Sequence, residues 1–168
     1  MVALLLALAC GAHAERRGLV AVERAGEDAR VELHAFNGGS TRLVLEGEAR
    51  WLLGCDGCEV TVEGPRRGGK LWVRDFEIRR ASDGSQPYVG ILKRYGAQLS
   101  IDDRNTGQHV FLDPFSVGGL LPYEGHPVLV IGYVVGAQTV RVMAFRILDE
   151  PPPPDRPDAL QPALPLPR

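Results

Sequence analysis

Between residues 18 and 148 the apolar positions fall in short alternating runs, cut at intervals by glycine-rich turns. Alternation with a period of two, rich in valine, isoleucine and leucine, is the mark of half-buried β-strands. Ten such runs stand out, near 18–24, 29–34, 41–46, 58–64, 70–79, 87–95, 97–103, 107–113, 127–134 and 138–148. The breaks carry turn chemistry: Gly38-Gly39, Asp56-Gly57, Gly68-Gly69, Gly107 and Gly136. No stretch has the period of a long helix, so the pattern predicts an all-β protein.

The ten strands are two sets of five. LLGCDGCEVTVEG (52–64) recurs as LLPYEGHPVLVIG (120–132), 68 residues on. At this spacing Leu52, Leu53, Gly57, Val60, Val62 and Gly64 match Leu120, Leu121, Gly125, Val128, Val130 and Gly132. Upstream, Val31, Leu33, Asn37 and Gly39 match Leu99, Ile101, Asn105 and Gly107. At a spacing of 69, Val73, Phe76 and Ile78 match Val142, Phe145 and Ile147, and Val20 and Val22 lie opposite Val89 and Ile91. A self-match held in register this long marks a duplication. Val73 and Phe76 are three apart, as are Val142 and Phe145, which a strict two-residue alternation does not allow. A bulge is therefore predicted in the fifth strand of each copy.

A five-stranded unit with a longer third connection resembles the OB-fold, a small Greek-key barrel. EVTVEG (59–64) and PVLVIG (127–132) look like its fourth strand, and SIDDRNTGQHVFLD (100–113) like its second and third around an Asp-rich turn. The resemblance covers 18–148 and implies two tandem OB-like barrels. The third connections, 47–57 and 114–126, are too rich in glycine and proline for the full helix many OB-folds carry there. A ten-stranded sandwich made by the same duplication is the structural alternative.

OB-folds bind through strands 2 and 3 and through the 1–2 and 4–5 loops. Carried over, the resemblance points to the 4–5 loop of the first copy, where Arg66, Arg67 and Lys70 could meet phosphate, carboxylate or an acidic partner. Its counterpart, Val134 to Thr139, has no charge. The plain reading of Arg66, Arg67 and Lys70 is a solvated hairpin tip. Phe36 and Trp72 are candidate stacking surfaces, although an aromatic in a small barrel is more often core, which is the expectation for Trp72. In the fourth strand, Thr61 and Glu63 of the first copy become Leu129 and Ile131 in the second. That strand is apolar on both faces, so its second face needs a cover: the first copy, a homodimer or another protein.

Composition narrows the functions. With 19 Lys and Arg against 21 Asp and Glu, the formal charge is −2, which disfavours nucleic acid without excluding it. Cys55-Asp56-Gly57-Cys58 is the only chemically suggestive motif. The Asp-Gly turn sets the cysteines opposite each other, and an oxidising compartment would make a structural disulfide of them. His34, His109 and His126 are isolated and there is no second CxxC, so no metal site is predicted. No nucleophile motif, phosphate loop or haem sequence occurs, so no catalytic residue and no cofactor are assigned.

The ends differ from the body. Val2–Ala9 is a short apolar run followed by Ala12-His13-Ala14, a pattern resembling an export signal cut after Ala14. The run is too short to span a bilayer as a helix. Leu8-Ala9-Cys10 loosely resembles a lipoprotein box, which would anchor the chain through Cys10. Residues 150–168 are proline-rich and predicted to be disordered or partly polyproline II. The expected organisation is a signal (1–14), a first repeat (15–81), a second repeat (82–149) and a tail (150–168). Such a chain is expected to be a periplasmic or secreted, non-enzymatic module for a protein or envelope component. Single-stranded nucleic-acid binding through the first repeat is the alternative.

Overall fold

The computed structural model describes residues 13–25, 28–149 and 161–162. The protein is two closed five-stranded barrels in tandem, the OB-like arrangement. The first is built from β1 (His13–Ala25), β2 (Asp28–Ala35), β3 (Ser40–Leu45), β4 (Glu59–Arg67) and a fifth strand in two pieces, β5 (Lys70–Val73) and β6 (Asp75–Arg80). β1 pairs with β2, β2 with β3, β3 in parallel with β5, and β4 closes the ring between the fifth strand and β1. The second barrel repeats this order with β7 (Tyr88–Tyr95), β8 (Gln98–Asp102), β9 (His109–Leu112), β10 (Pro127–Gly136) and β11 (Thr139–Ile147). The parallel pair is now β9 with β11. The third connections hold 3-10 turns only: Gly47–Gly54 in the first barrel, Pro114–Ser116 and Leu121–Tyr123 in the second.

Both predicted bulges are present at equivalent places. The β4 register steps by one across Arg74, and the β10–β11 register shifts between Ile131 and Gly132, leaving Met143 extra. A glycine faces each bulge for a steric reason. A Cβ on Gly64 would lie 1.8 Å from the Trp72 carbonyl oxygen, and one on Gly132 2.2 Å from that of Arg141. The first strand uses the same device. A Cβ on Gly18 or Gly90 would meet the carbonyl oxygen of His34 or Asp102 at 2.2 Å. At these glycines the strand passes from its fourth-strand partner to its second-strand partner.

That pairing corrects the register expected for the first strand. Val20 lies opposite Leu33 and Leu92 opposite Ile101, so Val20 corresponds to Leu92 and Gly18 to Gly90, a spacing of 72 rather than 69. The β1–β2 hairpin is longer than β7–β8 by two residues on each arm, and a match of small apolar residues at 69 hid the insertion. The predicted signal is described only at His13 and Ala14, which extend β1 opposite Pro65 and Gly64; the rest of it, including Cys10, lies outside the described residues. Of the tail expected to be disordered, Gln161–Pro162 form a two-residue strand, β12, against Phe145 and Ala144 of β11.

The barrels share apolar packing. Val89, Leu129, Ile131 and Leu148 belong to the second repeat by sequence but pack in the core of the first, with Val60, Ile78 and Leu52. Leu129 and Ile131 are thus covered by the first copy. Their counterparts on the first barrel are polar: Thr61 accepts a hydrogen bond from Arg79 Nε (2.8 Å), and Glu63 lies 3.5 Å from His13. Polar contacts then fix the angle. The buried Arg146 donates from Nη1 to the carbonyls of Gly54 (3.1 Å) and Asp56 (2.9 Å). Arg104 pairs with Glu48 (3.0 Å) and Asp75 (2.6 Å) and lies 4.4 Å above the Phe76 ring. Asn105 Nδ2 donates to the Ile78 carbonyl (2.8 Å).

Two outcomes test this description. Gly132→Ala is expected to cost about 2–3 kcal/mol in urea unfolding, because the new methyl meets backbone it cannot displace. Gly136→Ala, whose Cβ would meet nothing nearer than 3.9 Å, is the matched control. Leu129→Ala is expected to cost about 2–5 kcal/mol and to lower the melting temperature of the first barrel as well as the second.

Candidate functional site

The fifth strand carries the largest group of unmatched cations. Lys70 and Trp72 alternate with Leu71 and Val73; the latter pair enter the core, which turns Lys70 and Trp72 outward. Parallel pairing sets Val44 beside Trp72 and brings Arg42 alongside Lys70. The β4–β5 hairpin adds Arg67, opposite Lys70, with its guanidinium 6.0 Å from the Trp72 ring centre. The bulge residue Arg74 closes the set. Trp72, expected in the core, is instead half-buried on the outer face, where its ring and Arg67 line a small groove with Val44, Pro65 and Arg74.

A larger groove of about 560 Å³ runs beside it, with Arg42, Lys70 and Arg50 on an apolar floor of Val31, Leu43 and Leu53. Glu46 borders the smaller groove and Asp149 the larger. The contrast with the rest of the surface is electrostatic. Arg17, Arg79, Arg80, Lys93, Arg94, Arg104 and Arg141 all have a carboxylate within ion-pair distance. Arg42, Arg50, Arg66, Arg67, Lys70 and Arg74 have no ion pair with a described residue; nor do Arg16 and Arg30, which stand apart on β1 and β2. These cations have no carboxylate partner within ion-pair distance, so a bound anion would relieve their mutual repulsion.

The structure joins Arg67 and Lys70 into one face and adds Arg42, Arg50 and Arg74, which sequence reasoning missed; Arg66, paired opposite the core residue Leu71, is exposed on the other side of the hairpin. Arg42 is brought in by the parallel β3–β5 pairing, Arg50 by the 3-10 turn that follows β3, and Arg74 by the bulge in the fifth strand. Phe36 is not part of the face. It is exposed at the end of β2, with the Arg17 guanidinium 5.9 Å from its ring.

The second barrel offers rings rather than cations on its outer face. Tyr95, His109 and Phe111 pack edge to face, the closest pair at 4.7 Å between centres. Asp102 takes His109 (2.7 Å) and Lys93 (2.6 Å), and these two partners hold its carboxyl below the usual range. This is a closed set of neighbours and leaves no free cation.

The expected Cys55–Cys58 bridge is not formed in this structure. Cys55 and Cys58 are buried free thiols, and Cys55 Sγ donates to the Trp51 carbonyl (3.3 Å). The predicted turn is present: Cys58 N–H reaches the Cys55 carbonyl (2.9 Å), with Gly57 at φ 75°. Among the described residues no group of three or more His, Cys, Asp and Glu side chains could hold a metal, and no helix is long and apolar enough to cross a membrane.

No family model, curated protein or solved structure matches this chain. The cationic face rests on its geometry alone. Because its charges lack partners, Arg42→Ala and Lys70→Ala are each expected to leave unfolding free energy within about 0.5 kcal/mol of the parent. Arg104→Ala, which strands Glu48 and Asp75, is expected to cost about 1–2 kcal/mol in the same urea titration.

Proposed function

We propose that the protein is a non-enzymatic binding module of the cell envelope whose first barrel takes an acidic ligand on the face formed by Arg42, Arg67, Lys70 and Arg74. The observation that carries this reading is the clustering of unpaired cations on one side of a chain whose net charge is −2. An anionic patch on a partner gains several charge-assisted hydrogen bonds there, with arginine forks suited to carboxylate or phosphate. Trp72 and Val44 between the cations supply apolar contact, so a ligand with both acidic and apolar groups fits better than a bare ion. The partner class is an acidic protein segment or an anionic envelope polymer.

Export to the periplasm or outside the cell belongs to the same proposal and is supported by the apolar run at Val2–Ala9 and the small residues at Ala12 and Ala14. A cut after Ala14 would leave Glu15, opposite Glu63, as the first rung of β1. Single-stranded nucleic acid is the second reading, favoured by the Arg67–Trp72 pair, since a base can stack where a guanidinium and an indole lie side by side.

Fluorescence anisotropy with a labelled oligo-glutamate and, separately, a labelled single-stranded oligonucleotide tests both. The oligo-glutamate is expected to bind at 50 mM salt and weaken steeply by 200 mM. The double variant R67E/K70E is expected to bind it at least about tenfold less tightly, because two attractive contacts become repulsive. Equal binding by the parent and the double variant would sink the cationic-face reading. Loss of oligonucleotide binding in Trp72→Ala, with oligo-glutamate unaffected, would move nucleic acid to the front.

A further inference from the structure

The turn that carries the two cysteines occurs twice. In the first barrel Cys58 N–H donates to the Cys55 carbonyl (2.9 Å), Gly57 N–H to Val20 (2.9 Å) and Val20 N–H back to Cys58 (2.9 Å). In the second, His126 N–H donates to Tyr123 (3.0 Å), Gly125 N–H to Leu92 (2.8 Å) and Leu92 N–H to His126 (2.9 Å). Gly57 and Gly125 both hold positive φ, at 75° and 90°. The backbone is the same, and in the second copy the two side chains at the cysteine positions touch, with ring centres 6.1 Å apart. The first copy places two sulfurs where the second places two facing rings.

The surroundings of the sulfurs are unusual for structural thiols. The turn lies under the joint: Arg146 of the second repeat holds its Gly54 and Asp56 carbonyls, Gly54 N–H donates to Leu148 (3.1 Å), and Asp56 Oδ1 accepts from Val22 N–H (2.7 Å). Burial pushes the Cys55 thiol up. The neighbouring Cys55 thiol draws Cys58 down, and Arg146 adds to that, so Cys58 gives up its proton more readily than Cys55.

We propose that Cys55 and Cys58 are a modification site: a dithiol that a small disulfide of the glutathione type converts to an intrachain bridge, clamping the turn on which the second barrel rests. The Cys58 thiolate attacks one sulfur of the oxidant, whose S–S bond breaks and releases one glutathione thiolate, which takes up the proton Cys58 has lost. The Cys55 sulfur then attacks Cys58, displacing the second glutathione, which leaves with the Cys55 proton. Two electrons pass to the oxidant, and the products are one protein disulfide and two thiols. Both sulfurs are closed to solvent, so the reaction proceeds only from states in which the turn has opened, and the rate reports the opening of the joint. The proposal stands apart from ligand binding on the cationic face and does not need it.

The test uses the full chain with Cys10→Ser, so that only this pair reports. The protein is incubated with oxidised glutathione, unfolded, alkylated and weighed. The expected result is a mass lower by two hydrogens, no alkylation and no glutathione adduct. The oxidised chain is expected to melt about 4 °C higher than the reduced one, the size set by closing so short a loop. Cys55→Ser is expected to stop at a glutathione adduct on Cys58, and Cys58→Ser to react much more slowly. Two alkylatable thiols after incubation, a persistent adduct on the parent pair, or an oxidised form that melts lower would each overturn the proposal. Cys55→Ser remaining free of glutathione while Cys58→Ser takes it up would reverse the assigned roles.

Discussion

The structure depends on one act of burial: the outer face of a strand from the second barrel completes the core of the first. Leu129 and Ile131 point away from their own barrel and into the cluster around Val60, Ile78 and Leu52. Small barrels have little interior relative to surface, so a unit of this size gains much from borrowing core residues. Once that apolar contact forms, water is excluded from the joint and its polar contacts strengthen. Arg146 can then be buried because peptide carbonyls and Ser82 receive its protons. The cysteine turn keeps its shape because Arg146 and Leu148 hold it from the other side.

The same joint explains why the duplicated halves diverged. On the first barrel the fifth strand runs past β3, and its free edge is covered by Arg104 and Asn105 of the second barrel. On the second barrel the equivalent edge at Ala144–Phe145 receives Gln161–Pro162. The acidic side chains that welcome Arg104, at Glu48 and Asp75, have no acidic counterparts there: the matching positions are Ser116 and Ala144. Meanwhile the outer face of the first barrel around β3 and β5 gathered unpaired cations.

Much of the fold was legible in the chain because duplication prints every feature twice. The strand pattern, the paired bulges and the glycines Gly64 and Gly132 could be read from spacing, since a bulge offsets an alternation in a way a sequence displays. The position of the first strand could not, because Val20 and Val22 against Val89 and Ile91 make as good an apolar match as the true alignment. The cationic face was half legible. Arg67, Lys70 and Arg74 are near neighbours in the chain, whereas Arg42 joins them only through a parallel pairing between distant strands. The state of the thiols was not legible, because a turn that brings two sulfurs together does not say how many electrons they hold.

Thr61 and Glu63 occupy on the first barrel the places that Leu129 and Ile131 occupy on the second. They are hydrogen-bonded and charged where the others are greasy. A barrel that offered both an apolar plug and an apolar socket would thread onto its own copies without limit, as an open fibre does when its contacts never close. Here one unit supplies the socket and the other the plug, and the plug on the socket-bearing unit has been blunted. A further copy finds no apolar plug on the first barrel, and that refusal is written into a pair of side chains on one strand.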